Sequence, residues 1–233
     1  MPYSIDEIVK AYEILVKGIE AEANDNEDRA FGGIIRAGKG ALVESIGRHM
    51  VEIAWENING QPDRLSFVKK TYKIPIKKPY IDNLKYPEVR DYIYKNIKDF
   101  YYRLKSDIHV SIDNELVMGI ECKTYTENAM LKRIMVDFTL LKSVIPDITC
   151  VLLQLESQLT GDYGNPKNKI IYGSHSSHAI MSYFDIDLNI ITLLEGDRKV
   201  KKPIHNSKYY KVLEKEVLEI GINVIGEILK KYL

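Results

Sequence analysis

The chain reads SDIHVSIDNELVMGIECK from residue 106 to residue 123. Apolar and polar residues alternate on both sides of the short polar stretch 113–115, which is the pattern of two half-buried strands joined by a turn. We predict a β-hairpin with its turn centred on Asn114. All the apolar residues then share one face, and the pairs are Ile112 with Leu116, Val110 with Met118, and Ile108 with Ile120.

The other face of the predicted hairpin carries polar side chains. His109 lies opposite Gly119, and Asp107 lies opposite Glu121 at the open end. Directly opposed residues of an antiparallel pair have Cβ atoms roughly 4.5–5.5 Å apart. Lys123 is two residues beyond Glu121, so it shares that face. The sequence therefore predicts two carboxylates and an ammonium group close together.

Such a cluster has two interpretations. Two neighbouring carboxylates raise the pKa of one of them or bind a cation, and oxygen ligands suit a hard ion such as Mg²⁺. A bound ion could activate a water for attack on a phosphodiester, and Lys123 would orient or deprotonate that water or stabilise the phosphate. The alternative is an exposed hairpin end, where surface ion pairs contribute about 0–1 kcal/mol.

Asp107, thirteen intervening residues and then Glu121-Cys122-Lys123 resemble the motif of the PD-(D/E)XK nucleases. Among these nucleases the chain is most similar to the type II restriction endonucleases. The resemblance covers residues 107–156, where a predicted helix and strand follow the motif. It implies that Asp107 and Glu121 bind the metal and that Lys123 is the catalytic lysine.

Two further positions bear on the family pattern. Ser106 stands where the motif has proline, which is a common departure. Many members also use an acidic residue from a helix upstream of the hairpin. By its position, Glu44 is the residue to which the resemblance assigns that catalytic role.

The rest of the chain predicts an α/β (α+β) fold with a mixed central β-sheet flanked by helices. A helix over 124–142 separates the hairpin from a strand over 148–155, and such a crossover implies parallel pairing. This mixed sheet is the core that the family resemblance implies. The other predicted elements are helices over 4–23, 41–58 and 87–105, a loop over 24–40, a short edge strand over 72–74 and a strand over 188–194.

We expect one nuclease domain over residues 1–233, a length sufficient for one large domain. Its predicted parts are a helical N-terminal part (1–105), a catalytic core (106–156), a DNA-recognition region (157–207) and C-terminal helices (208–233).

The predicted recognition region opens with a polar, turn-rich stretch over 157–182. Long loops within a compact domain are usually functional or disordered, and the polar side chains here are of the size that reads base edges. An ordinary surface loop is the alternative, and two histidines three residues apart could also suit zinc, although no further ligand is near. The candidate DNA contacts are Asn165, Lys167, Asn168, Ser174, His175, Ser176 and His178, with Arg198 and Lys199 from a basic run.

Composition sets outer bounds on the function. The chain has 33 basic and 33 acidic residues, and this neutrality counts against a nonspecific DNA binder but not against a specific one. The basic residues cluster at 69–78 and at 198–202, and each cluster is either a DNA contact or a solvated face. No apolar run reaches the ~18 residues that span a bilayer, and no signal pattern opens the chain, so we expect a cytoplasmic protein without a membrane partner. Cys122 and Cys150 lie in apolar strand contexts and are expected in the core.

These observations and the resemblance together imply a sequence-specific type II restriction endonuclease of a restriction–modification system, hydrolysing double-stranded DNA with Mg²⁺. Cutting both strands of a palindrome needs two active sites related by a two-fold axis, so we expect a homodimer. One alternative is a structure-specific repair or recombination nuclease of the same superfamily. Another is a catalytically silent DNA-binding or protein-interaction domain.

Overall fold

A five-stranded mixed sheet forms the centre of the molecule, in a computed structural model that describes residues 4–24, 29–202, 204 and 206–233. The expected mixed α/β fold is confirmed. In spatial order the strands are β1 (Leu65–Ser66), β4 (Ile108–Ile112), β5 (Glu115–Thr126), β6 (Thr149–Ser157) and β7 (Leu188–Thr192). A separate ribbon pairs β2 (Tyr72–Pro75) with β3 (Tyr101–Leu104).

Helices cover both faces of the sheet. Their bounds are α1 (Ile5–Asn24), α2 (Arg29–Asn57), α3 (Lys78–Asp82), α4 (Pro87–Lys95), α5 (Asn128–Lys142), α6 (His175–Met181) and α7 (Lys215–Leu229). A 3₁₀ turn, Lys230–Tyr232, follows α7. Within the described ranges, no helix is long and apolar enough to cross a membrane.

The predicted hairpin is formed by β4 and β5. Three pairs match the expected register: Ile108 with Ile120, His109 with Gly119, and Val110 with Met118. A bulge then follows Val110, so Ile112 pairs with Glu115, and the predicted pairing of Ile112 with Leu116 is wrong. The turn is Asp113-Asn114, both at positive φ (52° and 67°). Two such residues fit a two-residue hairpin turn matched to the strand twist, and the bulge absorbs the extra residue.

The crossover after the hairpin is also present. β5 and β6 are parallel, and β7 adds a second parallel pair on the far side of β6. Helix α5, which connects β5 to β6, begins at Asn128 rather than at the predicted Thr124. Residues up to Thr126 continue β5 because their backbone pairs with β6, where Tyr125 is aligned with Glu156.

Two layers of apolar side chains hold these helices on the sheet. On one face α2 packs against β4, β5 and β6, and α1 and α7 pack against α2, in a cluster that includes Met50, Ile108 and Leu153. On the other face α5 packs through Ile134 and Phe138. Complete burial of a large apolar side chain contributes about 1.5–3 kcal/mol. These two layers therefore determine which side chains of each strand are covered by helices and which stay accessible.

Two predicted elements differ from the structure. The predicted loop over 24–40 is helical from Arg29 onward, and residues 25–28 lie outside the described part of the chain. Extending a helix costs little once it has nucleated, so the packed part of α2 tolerates glycines at its start. The predicted helix over 87–105 ends at Lys95, because residues 101–104 pair with β2 instead. The N-terminal part predicted as helical therefore also contains three short strands.

Gly47 allows α2 to approach the sheet closely, which gives a test of this packing. A Cβ at position 47 would lie 2.8 Å from both Ile108 Cδ1 and Leu153 Cδ2. Gly38, in the same helix, has open space at the equivalent position. Both alanine variants gain helix propensity, about 0.5–1 kcal/mol, but only Gly47→Ala overpacks the core.

We expect Gly38→Ala to be more stable than Gly47→Ala by about 1–3 kcal/mol in urea unfolding. Equal stabilities would show that α2 does not rest on β4 and β6 as described.

Candidate active site

Three polar side chains converge beside the open end of the hairpin. The Asp107 carboxylate, one residue before β4, accepts hydrogen bonds through Oδ2 from the Cys122 backbone N–H at 2.8 Å and from Lys123 Nζ at 3.3 Å. Lys123 Nζ also donates to Glu121 Oε2 at 2.8 Å. The structure thus brings together the three residues whose proximity the sequence predicts. Their chemical roles are not established by this geometry and stay predictions.

The three groups differ in burial, and this sets their electrostatics. The Glu121 side chain is 12% exposed, whereas those of Asp107 and Lys123 are 32% and 30% exposed. Burial, reinforced by the negative charge of Asp107, raises the pKa of Glu121 to about 7, although Lys123 opposes the shift. Burial alone would lower the pKa of Lys123, but the charges of Glu121 and Asp107 raise it. The cluster therefore holds a carboxylate that is costly to ionise beside an ammonium that stays charged.

The donor set suits a hard divalent cation. Across the described residues, no group of three or more His, Cys, Asp or Glu side chains is arranged to hold a metal. Asp107 and Glu121 would thus be a two-carboxylate site. Mg²⁺ commonly takes one or two protein carboxylates and completes its shell with water and substrate phosphate. A cation here would also offset the cost of ionising the buried Glu121.

Glu44 is on α2. This helix packs on one face of β5, whereas α5 packs on the other face, which carries Glu121 and Lys123. Its carboxylate forms an ion pair with Lys69 at 2.8 Å. Burial first, and then the charges of Asp107 and Glu44, raise the pKa of the Cys122 thiol, which places the Glu44 charge near Cys122. A catalytic role for Glu44 stays a prediction.

Two residues near the cluster were missed at the level of sequence. Asp137, on α5, is close enough for its charge to raise the pKa of Glu121, and burial raises the pKa of Asp137 itself. Gln154, on β6, is aligned with Lys123 and fully buried. Its Nε2 donates to Thr192 Oγ1 at 2.9 Å, while Oε1 has no partner among the described residues. The sequence feature that could have identified both residues is a polar side chain within an otherwise apolar strand or helix face.

His109 joins the site to the chain segment before it. Its ring is buried, with Nδ1 3.0 Å from the backbone nitrogen of Lys70 and Nε2 3.2 Å from that of Ser106. A neutral ring accepts a hydrogen bond at one of these two nitrogens. Burial lowers the pKa of His109, and the positive charges of Lys69 and Lys105 lower it further. A neutral His109 thus anchors residue 70 against β4, two positions along the chain from Asp107.

The predicted recognition region contains helix α6 within its polar stretch, so some of its side chains already have intramolecular partners. Ser174 is the buried cap of α6, and Lys167 forms ion pairs with Glu195 and Glu214.

The other side chains of that set lie at the surface. His178 contacts the Tyr172 carbonyl, Ser176 accepts from Asn128, and Arg198 stacks 3.5 Å from the Tyr125 ring centroid while donating to Gln158. The remaining members are exposed: Asn165, Asn168, His175 and Lys199. DNA contact by any of them stays a prediction.

The chain is similar to a known protein over most of its length. The type II restriction enzyme DdeI of Desulfomicrobium norvegicum (strain DSM 1741 / NCIMB 8310) is 48% identical to this chain over 213 residues, which is 91% of this chain and 88% of that protein. A solved structure of the native BbvCI A2B2 tetramer aligns over 98% of this chain and 89% of its own, with 14% identity and a TM-score of 0.38. No protein-family model matches the chain.

The raised pKa of Glu121 predicts an unusual pH dependence of stability in the absence of divalent cations. The folded state keeps the Glu121 proton up to about pH 7, whereas the unfolded chain releases it near 4.5. The folded state therefore binds more protons over this interval, and Glu121 reduces the free energy of unfolding progressively as pH rises from 4.5 to 7. Glu121→Gln removes that loss.

The test is urea unfolding of both proteins between pH 4.5 and 8 in a chelator, with Glu115→Gln as the control. Glu115 belongs to the same hairpin but is exposed. We expect wild type and Glu115→Gln to lose stability relative to Glu121→Gln over this range. Parallel curves for all three proteins would contradict the assigned shift.

Proposed function

We propose how this chain, which belongs to the type II restriction enzymes, cuts DNA. It cleaves phosphodiester bonds of double-stranded DNA at a specific sequence, and Asp107, Glu121 and Lys123 form its active site. The observation that supports this site is the convergence of two carboxylates and an ammonium group on one hairpin. The same geometry supports membership of the PD-(D/E)XK nucleases. We further propose the cytoplasm as its location, because the substrate is DNA.

Asp107 and Glu121 would hold Mg²⁺. Both supply carboxylate oxygens, and Glu121 is desolvated and therefore gains from a cation at neutral pH. Bound there, the ion would lower the pKa of a water and offset negative charge on the phosphate.

Lys123 acts in this proposal as a donor and not as a base. Its raised pKa keeps the ammonium protonated at neutral pH. A protonated amine can orient the attacking water and donate to a phosphate oxygen as negative charge develops there. The Cys122 N–H bond to Asp107 holds that carboxylate in place against the β5 backbone.

A homodimer follows from the reaction. The described chain has one such cluster, and cleavage of both strands of a palindrome needs two clusters related by a two-fold axis. Each copy would then cut one strand.

The first test is cleavage of a plasmid of known sequence with Mg²⁺. Wild type should give discrete fragments with fixed ends, whereas a smear would indicate a nuclease without sequence specificity. Asp107→Asn and Lys123→Ala should each lose about 100-fold or more in rate, because each removes a group that stabilises the transition state. Both should still bind the same DNA in Ca²⁺.

Lys132→Ala is the matched control for Lys123→Ala, because Lys132 is an exposed lysine on α5. It should cut at the wild-type rate. Full activity in either site variant would remove that residue from the mechanism.

The second test measures cation binding without any cleavage. Mg²⁺ bound only by the folded state raises stability by about 2.7 kcal/mol at a concentration of 100 times Kd. Thermal unfolding of wild type and Glu115→Gln should shift upward as Mg²⁺ is added, and that of Asp107→Asn and Glu121→Gln should shift much less. Equal shifts in all four proteins would exclude the two carboxylates as the cation site.

A further inference from the structure

The ribbon formed by β2 and β3 has one apolar and one charged face. On the inner face, Ile74 and Leu104 pack against Phe138 and other apolar residues of α5. On the outer face, Lys73 and Arg103 are directly opposed and exposed. We call the outer face, made of Lys73, Tyr101 and Arg103, the basic ribbon face.

Two like charges in register are unfavourable in an isolated ribbon. Among the described residues, neither Lys73 nor Arg103 forms an ion pair with a carboxylate. Instead both cations lie over the Tyr101 ring, with Lys73 Nζ at 4.3 Å and the Arg103 guanidinium at 5.7 Å from its centroid. The structure thus keeps an uncompensated pair of positive charges at its surface.

The tyrosine adds a hydrogen-bond donor to this face. Arg103 donates to the Tyr101 hydroxyl at 3.2 Å. Because the hydroxyl oxygen accepts that bond, its own hydrogen is available for an external acceptor. An anion with several oxygens would therefore meet two cations and one O–H donor.

The surrounding segment is strongly basic although the chain is neutral. Residues 66–105 contain eleven lysines and arginines and four aspartates and glutamates, out of 33 of each charge in the chain. The rest of the chain thus has 22 basic and 29 acidic residues. The same segment holds seven of the sixteen tyrosines. A local cluster of basic residues is typical of a nucleic-acid surface.

This face lies next to the candidate active site. The Lys70 N–H contact with His109 Nδ1 and the Tyr72 ring, 5.7 Å from the His109 ring, hold the start of β2 against His109, two residues after Asp107. Leu104, at the end of β3, is three residues before Asp107, a separation that the chain spans in at most about 10 Å. Each strand of a B-form duplex carries a phosphate every ~3.4 Å along its axis. A duplex with its scissile phosphate at Asp107 would therefore have other phosphates a few nucleotides away, within reach of the ribbon.

We infer that the basic ribbon face binds the phosphate backbone of the DNA duplex beside the cleavage site. This inference rests on the proposed function for the identity of the partner. Contacts to phosphates position a protein on DNA without reading its sequence. The ribbon face therefore sets affinity and placement, equally for cognate and unrelated sequences.

The experiment measures how binding depends on salt. Each phosphate contact contributes about 0.9 to the slope of log K against log salt. Because the proposed dimer presents this face twice to one duplex, the double variant Lys73→Gln/Arg103→Gln should lower that slope by about 3.6, and each single variant by about 1.8. Binding is measured by fluorescence anisotropy in Ca²⁺, with a duplex carrying the mapped cleavage site and with a scrambled duplex.

The control Lys10→Gln/Lys230→Gln makes the same charge change on α1 and on the turn after α7, and its slope should equal that of wild type. Unchanged melting temperatures check that the variants are folded. A double variant with the wild-type slope on both duplexes would overturn the inference, as would an equal drop in the control. A change in oligomeric mass with an unchanged slope would also overturn it and assign the face to a contact between copies.

Failure of this inference is distinguishable from failure of the proposed function. If wild type binds but cuts no DNA while the double variant loses slope, the ribbon inference holds and the proposed catalytic site fails. If wild type cuts at fixed positions and the double variant keeps its slope, only the ribbon inference fails.

Discussion

The contact between Lys123 and the two carboxylates of Glu121 and Asp107 depends on the register of one hairpin. A slip of one residue would move Glu121 and Lys123 to the opposite face of the sheet, into the apolar layer under α2. The bulge after Val110 prevents such a slip. It accommodates the extra residue next to the two-residue turn, so the residue pairs at the open end of the hairpin keep their register. Asp107 approaches β5 at that end. The register of the strands therefore determines which charged groups come together at the candidate active site.

The face on which this contact lies is limited by α5. A Cβ at Gly119 would lie 3.2 Å from both Phe138 and Ser106 Oγ, so a larger residue there would press on α5 and on the loop before β4. This close packing leaves Glu121 only 12% exposed and brings Asp137 within electrostatic range. Burial is the largest cause of the raised Glu121 pKa. Packing of α5 on that same face thus makes Glu121 costly to ionise.

The sequence predicted the parts of this structure that rest on local patterns. The alternation in residues 106–123 was sufficient for the hairpin and for the proximity of Asp107, Glu121 and Lys123, and the crossover gave the parallel strand. It failed for β3, because Tyr101–Leu104 is extended only through pairing with residues about 30 positions earlier. It failed at the start of α2, where glycines suggested a loop but the helix continues from its packed part. Asp137 and Gln154 could not be found, since their approach to the site depends on how α5 and β6 lie against β5.

The most direct measurement is a crystal structure of the protein soaked in Mn²⁺, with anomalous scattering used to locate the ion. We expect an anomalous peak within coordination distance of carboxylate oxygens from both Asp107 and Glu121, with the Lys123 ammonium beside it. Ions bound elsewhere, with no peak between the two carboxylates and with Lys123 and Glu121 still in direct contact, would contradict this metal site.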